Sequence, residues 1–408
     1  MFSALRHRDY RLYYFGQGLS LIGSWMQTTA LAWLAYSITG QSSWTASVAI
    51  GMILPTAILA PLAGILADRV PKRRLVLASQ TAFGLQAAAL AAYALWGSPT
   101  AWGLVGFAWL GGAVQAIDLP ARLSFLKDLT SREDLPNAVA LNSVQFNLAR
   151  ALGPALAGWI ISVADPALCF AANAASYLAV LGSLAFIRAV GEPAPLRVGE
   201  TPPSFFAVLR DGGELGFFIF LATGAALFGW PMLSLLPQVA ADGLGWHAAG
   251  HGWLLSAVGG GAMVSAMGIA AWGNDANLWR RIRVGLLMTA LGQGVLAGSS
   301  ALADAAVGTA LAGAALAGMG LIMVLATAQG AVQQLADDRS RGKAMALWTM
   351  GLSLATPLGN AVFGPLADAV GHPFALAVMM AGMVALLLPS AFGTLSPISL
   401  DQDGIGRP

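Results

Sequence analysis

The 408-residue chain is 57% hydrophobic and only 10% charged, with a mean hydropathy of +0.70, whereas a soluble domain carries about 25% charged residues. The chain is therefore dissolved in lipid, and a net charge of +2 gives no footing for a nucleic-acid partner. A single cysteine, Cys169, excludes an internal disulfide and any multi-cysteine metal site, and nothing in the sequence calls for a cofactor.

Apolar runs of about 20 residues, long enough to cross a bilayer, recur along the chain. In order they cover 12–36, 44–67, 75–96, 101–125, 136–163 and 166–187, then 213–240, 250–272, 282–301, 305–335, 344–367 and 373–392. The fold class expected is an all-α membrane protein of twelve transmembrane helices. The basic stretch 1–11 precedes a long apolar run without a small-residue cleavage site, so the first helix is expected to stay as an anchor. A Pro/Gly/Glu-containing stretch in the middle divides the chain into a first six-helix bundle, 1–190, a cytosolic linker, 191–207, and a second bundle, 208–408.

Charge sets the orientation. With the N-terminus in the cytosol, Arg6, Arg8 and Arg11 fall inside, followed by Arg69, Lys72, Arg73 and Arg74, then Arg122, Lys127 and Arg132. Arg188, Arg197, Arg210, Arg280, Arg281, Arg283, Arg339, Arg341, Lys343 and Arg407 complete that face, leaving only Arg150 within a span. The outer loops carry Asp165, Asp242, Asp304 and Asp368 instead. This is the positive-inside pattern, and it predicts a multi-pass inner-membrane protein with both termini cytosolic. The halves also resemble each other: Leu148–Gly158 aligns with Leu354–Gly364, matching at Leu148, Ala149, Leu152, Gly153, Ala155 and Gly158. Two parallel six-helix repeats follow from that match.

The first motif is the turn Gly64-Ile-Leu-Ala-Asp68-Arg69-Val-Pro71-Lys72-Arg73-Arg74. Each Asp, Lys or Arg costs roughly 2.5–3.5 kcal/mol at a membrane helix centre, and Pro71 disfavours the helical region for Val70. Two helices must meet here at a water interface, with Gly64 and Ala67 letting their ends approach closely. Further along, Asp118 stands about 13 Å inside its helix from Lys127, and Arg150 about 20 Å inside from Asn137. An intramembrane ionisable group is a functional candidate that seldom stands unpaired, and Asp118 shares a helix face with Arg122. Arg150 is followed by Gly153, Pro154 and Gly158, a bend or close-packing signal. His247 and His251 stand four apart, a metal-compatible spacing, but no carboxylate cluster accompanies them and no metal site is expected. Trp44, Trp96, Trp102 and Trp246, at span ends, read as interfacial belt residues. The glycine-rich Val258–Met263 lacks the Lys-Ser/Thr of a phosphate loop.

The pattern Gly64-x3-Asp68-Arg69-x3-Arg73-Arg74 resembles the signature loop of the major facilitator superfamily, with Pro71 in place of that family's glycine. Arg150 with Gly153-Pro154 is similar to the Gly-Pro motif of its proton-coupled exporters. The stretches Gly112 to Arg122, Asn137 to Ser143, Asn147 to Pro154 and Arg341 to Ala346 resemble the branch of enterobactin and macrolide exporters. The resemblance implies a secondary transporter, not an enzyme. It implies export of an amphipathic small molecule, a drug or siderophore-like metabolite, by proton antiport, from a monomer in the lipid bilayer. The alternatives are a proton-independent uniporter or metabolite importer of the same fold, and a non-transporting receptor or scaffold.

Within that frame Asp118 and Arg150 are the proton-coupling candidates. Asp118 stands between three roles: proton-carrying acid, member of a cytosolic latch with Gly64, Asp68, Arg69, Arg73, Arg74 and Arg122, or simple structural pairing. Arg150 is either a substrate or counter-ion contact or the partner of Asp118. The family layout places helices 1, 4, 7 and 10 at the centre. The cavity expected from them is aromatic, methionine-rich and nearly uncharged, offering Gln17, Trp25, Met26, Gln27, Trp109, Gln115, Phe228, Trp230, Met232, Met319, Met323 and Gln329, with Asn142, Gln145 and Asn147 from helix 5.

Overall fold

With no water in the hydrocarbon layer, a spanning segment must satisfy its own backbone, and helices do so. The computed structural model describes residues 2–189, 191, 213–271, 278–302, 306–336 and 341–392. The side chains of Pro61, Ala67, Asp68, Ala270, Arg341, Lys343, Ala391 and Phe392 lie outside the described residues, as do Arg197, Arg210, Asp304, Arg339, Arg407 and the linker beyond Gly191.

The first helices are α1 (Arg8–Thr39), α2 (Ser42–Arg69), α3 (Lys72–Trp96), α4 (Ala101–Phe125), α5 (Leu135–Val163) and α6 (Pro166–Phe186). Then come α7 (Gly213–Gly229), α8 (Met232–Gln238), α9 (His247–Ala271), α10 (Leu278–Gly298), α11 (Ala306–Leu335), α12 (Arg341–Val370), α13 (His372–Ala385) and α14 (Leu387–Phe392). The break expected at Val70-Pro71 is present, with Val70 extended at φ −111° and ψ 139°. Asp165 caps α6 by accepting from the Ala167 amide at 2.8 Å, and Thr100 caps α4 by accepting from Gly103 at 3.1 Å. Two runs read as single helices are broken. Run 213–240 divides at Trp230-Pro231, where proline has no amide to donate, and 373–392 divides at Leu386.

Among the described residues, ten helical segments are long and apolar enough to cross a membrane. The long helices α1 and α12 do not meet that measure. Gln17, Ser20, Ser24, Gln27 and Thr28 dilute α1, and Thr349, Thr356, Asn360 and Asp368 dilute α12. The fold is an all-α, multi-pass membrane fold.

Early helices pack on one another (α1 on α5 and α6, α2 on α4, α3 on α4 and α6), and so do late ones (α10 on α11 and α13, α9 on α11, α7 on α11 and α12). Two broad crossings join early to late, α5 against α9 and α2 against α12. At the first, Gly158 meets Gly252, and a methyl at Gly252 would collide with the Pro154 carbonyl, so the close approach needs glycine there.

Polar contacts between early and late helices gather at the acidic end, where α1 finishes and α2 begins. Asp368 accepts from the amides of Ser42 at 2.6 Å and Ser43 at 3.0 Å, and Ser42 Oγ donates to Gln238 at 3.0 Å. Tyr36 donates to Asp242 at 2.7 Å, and the Trp33 ring stacks on buried His251 with centroids 6.1 Å apart.

At the basic end, polar contacts tie residues 1–191 to one another. Lys72 pairs with Asp128 at 2.9 Å, and Asp9 accepts from the amides of Arg188 and Ala189. His7 meets Asp134 at 2.7 Å in the loop before α5. Hydrogen bonds from Ser3 and then His7 hold the Asp134 carboxyl below the usual carboxylate range. A depressed folded-state value contributes stability that is complete above the unfolded value and fades as pH falls through the folded one. Asp134→Asn is therefore expected to melt below the parent at neutral pH, with the gap closing below about pH 4. Thermal unfolding across pH checks it, and a gap that persists in acid contradicts it.

Candidate functional site: a cavity in the first six helices

A cavity of about 450 Å³ opens among α1 to α6. Its charged corner is on α4, where Asp118 is 1% exposed and Arg122 follows one helical turn later. Asp118 accepts from Arg122 Nε, from Ser79 Oγ at 2.7 Å and from Gln80 Nε2 at 2.7 Å. A carboxylate buried in a membrane protein is tolerable when it is paired and hydrogen-bonded in this way. Pair and donors cancel locally, so the cavity is neutral.

Above the pair runs a ladder of amides crossing four helices. Asn173 of α6 donates to Gln27 of α1 at 2.8 Å, Gln27 donates to Gln86 of α3 at 3.0 Å, and Gln86 donates to the Phe107 carbonyl of α4 at 3.0 Å. Each side chain is thereby fixed in orientation, and the helices are pinned around the space. Tyr177 hydrogen-bonds Ser24 at 3.0 Å and stacks on Phe83 at 5.8 Å, while Trp25 meets Phe146 edge-on at 5.7 Å. Such a space can orient a small molecule by hydrogen bonds against aromatic walls.

Of the expected cavity residues, Gln17, Trp25, Gln27 and Gln115 line this space, together with Asp118 and Arg122. The others are elsewhere. Met26 is buried in apolar core, Gln145 donates to the Tyr14 carbonyl at 2.6 Å, and Asn147 donates back to Ser143 of its own helix. Trp109 is 40% exposed on α4 and Asn142 is half-buried. Phe228 and Met232 pack in late-helix core, Met319 and Met323 are half-buried, and Gln329 is exposed. This space is lined by the aromatic side chains Trp25, Phe83, Phe107, Phe146 and Tyr177 and by amides around an ion pair, and the methionines expected from late helices are not among its lining.

Arg150 is not the partner of Asp118. Its guanidinium carbon sits 5.6 Å from the Trp230 ring centroid, across the seam between early and late helices. Its neighbours Gly153 and Gly158 lie against α1 and α9, and α5 runs unbroken through Pro154.

The basic turn is arranged differently from the expected latch. Arg73 donates to the Leu184 carbonyl at 2.8 Å, closing the end of α6, while Arg69 and Arg74 are exposed. Asp118 and Arg122 bind each other inside the first six helices instead of reaching that turn. Gly64 has open space where a Cβ would stand, so it does not mark a close helix approach; the Asp68 side chain lies outside the described residues. His251 stacks on an indole, and among the described residues no His, Cys, Asp or Glu cluster could hold a metal.

Sequence reasoning missed Ser79, Gln80, Gln86, Asn173 and Tyr177, because it sought the cavity on helices 1, 4, 7 and 10 with three residues of helix 5, and not on helices 3 and 6. The available signal was polar side chains on apolar spans, with Asn173 and Tyr177 one helical turn apart.

The profile of the family described as "Transmembrane secretion effector" matches residues 1–403. The "Staphyloferrin A transporter" of Staphylococcus aureus is 29% identical over 173 residues, 41% of this chain and 43% of that protein. The "Uncharacterized MFS-type transporter YfiS" of Bacillus subtilis is 24% identical over 196 residues, 48% of this chain and 45% of that protein. The chain thus spans less than half the length of these curated relatives.

Among solved structures, a POT family transporter in complex with a thioalcohol-conjugated peptide has TM-score 0.73 at 14% identity, covering 95% of this chain and 96% of that one. The nucleoside transporter NupG has TM-score 0.70 at 12% identity, covering 95% and 100%. Likeness at this identity speaks to the fold. These comparisons overturn the expected export by proton antiport. The solved transporters that share the fold are named for peptides and nucleosides and not as exporting antiporters.

Proposed function

The chain belongs to the family of transmembrane secretion effectors, within the major facilitator superfamily, and from that premise we propose that it is a proton-independent carrier of small polar metabolites. It is a transporter and not an enzyme, and it sits in the membrane as a multi-pass protein of bacterial type. In this reading twelve spans form two parallel bundles, 1–190 and 208–408, joined by a cytosolic linker at 191–207, and the unit works as a monomer. The basic end and both termini face the cytosol. The seal at Asp368, Asp242 and Trp33 is then the closed outer gate, and the basic turn with Arg69, Arg73 and Arg74 belongs to the inner one. Direction follows the gradient of the solute, so the same carrier serves uptake or release.

The observation that carries this reading is the compensation of Asp118 by Arg122, Ser79 and Gln80. A carboxylate engaged by three donors is committed to holding α3 and α4 together, and a transport cycle that freed it would break a buried pair. In proteoliposomes, counterflow of labelled peptides, nucleosides and sugars is expected for at least one class, at a rate unchanged when an ionophore collapses the pH gradient. Counterflow that stops with the gradient overturns the reading.

A further inference from the structure

Arg150 is a cation at membrane depth without an acid. It stands midway along α5, and its guanidinium touches the Trp230 ring but makes no hydrogen bond or ion pair among the described residues. The residue is half-buried, and its unpartnered nitrogens keep accessible surface, in contrast with the sealed Oε1 atoms of Gln17 and Gln80. An indole face attracts a cation but offers no oxygen to the five N–H donors of a guanidinium. The described acids do not supply one either. Asp118 is held by Arg122, Ser79 and Gln80, and the others stand at helix ends or in the connecting loops.

Arg150 also belongs to the wall beside the cavity. Phe146, one turn earlier, and Gly153, one turn later, share its face of α5. Phe146 lines the cavity and meets Trp25 edge-on at 5.7 Å, and Gly153 packs directly on Trp25. The guanidinium is thus carried between the aromatic end of the cavity and Trp230 across the seam.

We infer that Arg150 anchors an organic anion, a carboxylate on an apolar or aromatic body, with the body seated against Trp230, Trp25 and Phe146. This rests on the carrier reading and names its substrate class. A charge at this depth seldom stands unpaired, and the planar guanidinium fork matches a carboxylate through two parallel hydrogen bonds. The Asp118–Arg122 pair already balances itself, so the counter-charge missing at Arg150 is the one a ligand brings. The aromatic walls suit an apolar body, and about 450 Å³ lies in the range of small-molecule sites. An anion held here also touches an early helix and a late one, the two groups that a carrier closes around its solute.

The test titrates the purified full chain, in detergent and low-salt buffer at neutral pH, with phenylpropionate, its amide phenylpropionamide and the cationic phenylpropylamine. Chloride and inorganic phosphate are titrated separately. Phenylpropionate is expected to raise the melting temperature and to bind about tenfold tighter than its amide, with the amine weaker still. Arg150→Met is expected to erase that preference while the empty protein melts at or above the parent, because a half-buried charge without a partner is removed. Arg150→Lys keeps the charge without the fork, and is expected to retain the preference at reduced affinity. The parent and Arg150→Lys decide the matter even where Arg150→Met does not fold.

Equal affinity for phenylpropionate and its amide overturns the inference, as does an unchanged preference in Arg150→Met. A lower melting temperature of Arg150→Met with the preference intact assigns Arg150 to a structural clamp on Trp230. Stabilisation by chloride or phosphate equal to that by phenylpropionate leaves a small-anion site and overturns the organic ligand. Binding in detergent needs no transport: counterflow of labelled solute without any anion preference sinks this inference and spares the carrier, whereas Arg150-dependent binding with gradient-dependent counterflow does the reverse.

Discussion

Arg122→Met is expected to lose about 3–5 kcal/mol of stability, the usual consequence of leaving a buried charge without its partner. The Asp118 side chain is 1% exposed and that of Arg122 is 16% exposed, so the carboxylate has the less favourable fate when the pair is broken. Ser79 and Gln80 still donate to it, but two neutral donors do not balance an anion at this depth. Asp118→Asn is expected to be milder. The amide keeps an acceptor for Ser79 and Gln80, and the guanidinium left behind reaches more solvent. The double variant Asp118→Asn/Arg122→Met removes both charges and is expected to recover part of the loss, a coupling of about 1–3 kcal/mol. Thermal unfolding followed by tryptophan fluorescence, with size exclusion to verify monodispersity, gives all corners of the cycle. An Arg122→Met protein as stable as the parent would falsify the assignment of the pair as the keystone of this cavity.

Most of the fold was legible because lipid solvation leaves a coarse imprint. A spanning helix must be apolar for its whole length, and α4 runs over the residues 101–125 read from that rule. The basic turn at Arg69–Arg74 was equally plain, since charge density of that kind ends a span. What hydropathy missed was local. A proline such as Pro231 breaks a helix without changing its apolarity, and so did the stop at Leu386.

The site was half-legible. Asp118, Arg122, Gln17 and Gln27 stand out as polar groups at depth. Their partners on α3 and α6 were passed over, because the family layout pointed to other helices, although Gln80, Gln86 and Asn173 are just as anomalous in apolar spans. Partner choice was not legible at all. Arg150 and Asp118 are both deep, yet helix rotation turns Arg150 to the seam with Trp230 and Asp118 into the bundle. That rotation depends on side-chain packing such as Gly153 against α1, which a hydropathy reading does not contain.

Asp368→Ala is expected to unseal the acidic end. α2 begins at Ser42, and its preceding residue, Gln41, makes no side-chain cap. The orphan amides of that first turn are instead taken by Asp368, which belongs to α12 and gives one carboxylate oxygen to each. An N-terminal cap contributes about 0.5–2 kcal/mol, and a carboxylate there also interacts favourably with the helix dipole. Supplied by a different group of helices, that stabilisation exists only while early and late helices meet at this end. Losing roughly 1–2 kcal/mol shifts the closed-to-open ratio about 5–30-fold. Spin labels at Ser37→Cys and Val370→Cys, in a Cys169→Ala background, report the change as a longer distance population. Asp368→Asn keeps one acceptor without charge and is expected to fall between. Tyr36→Phe removes the donor to Asp242 at a separate contact, so its effect is expected to add to that of Asp368→Ala. An unchanged distance distribution in Asp368→Ala, with folding intact, would assign the seal to the apolar crossings at Gly252 of α9 and at Gly364 of α12, which packs on Ser43 and Ala46 of α2, and deny the carboxylate any part in gating.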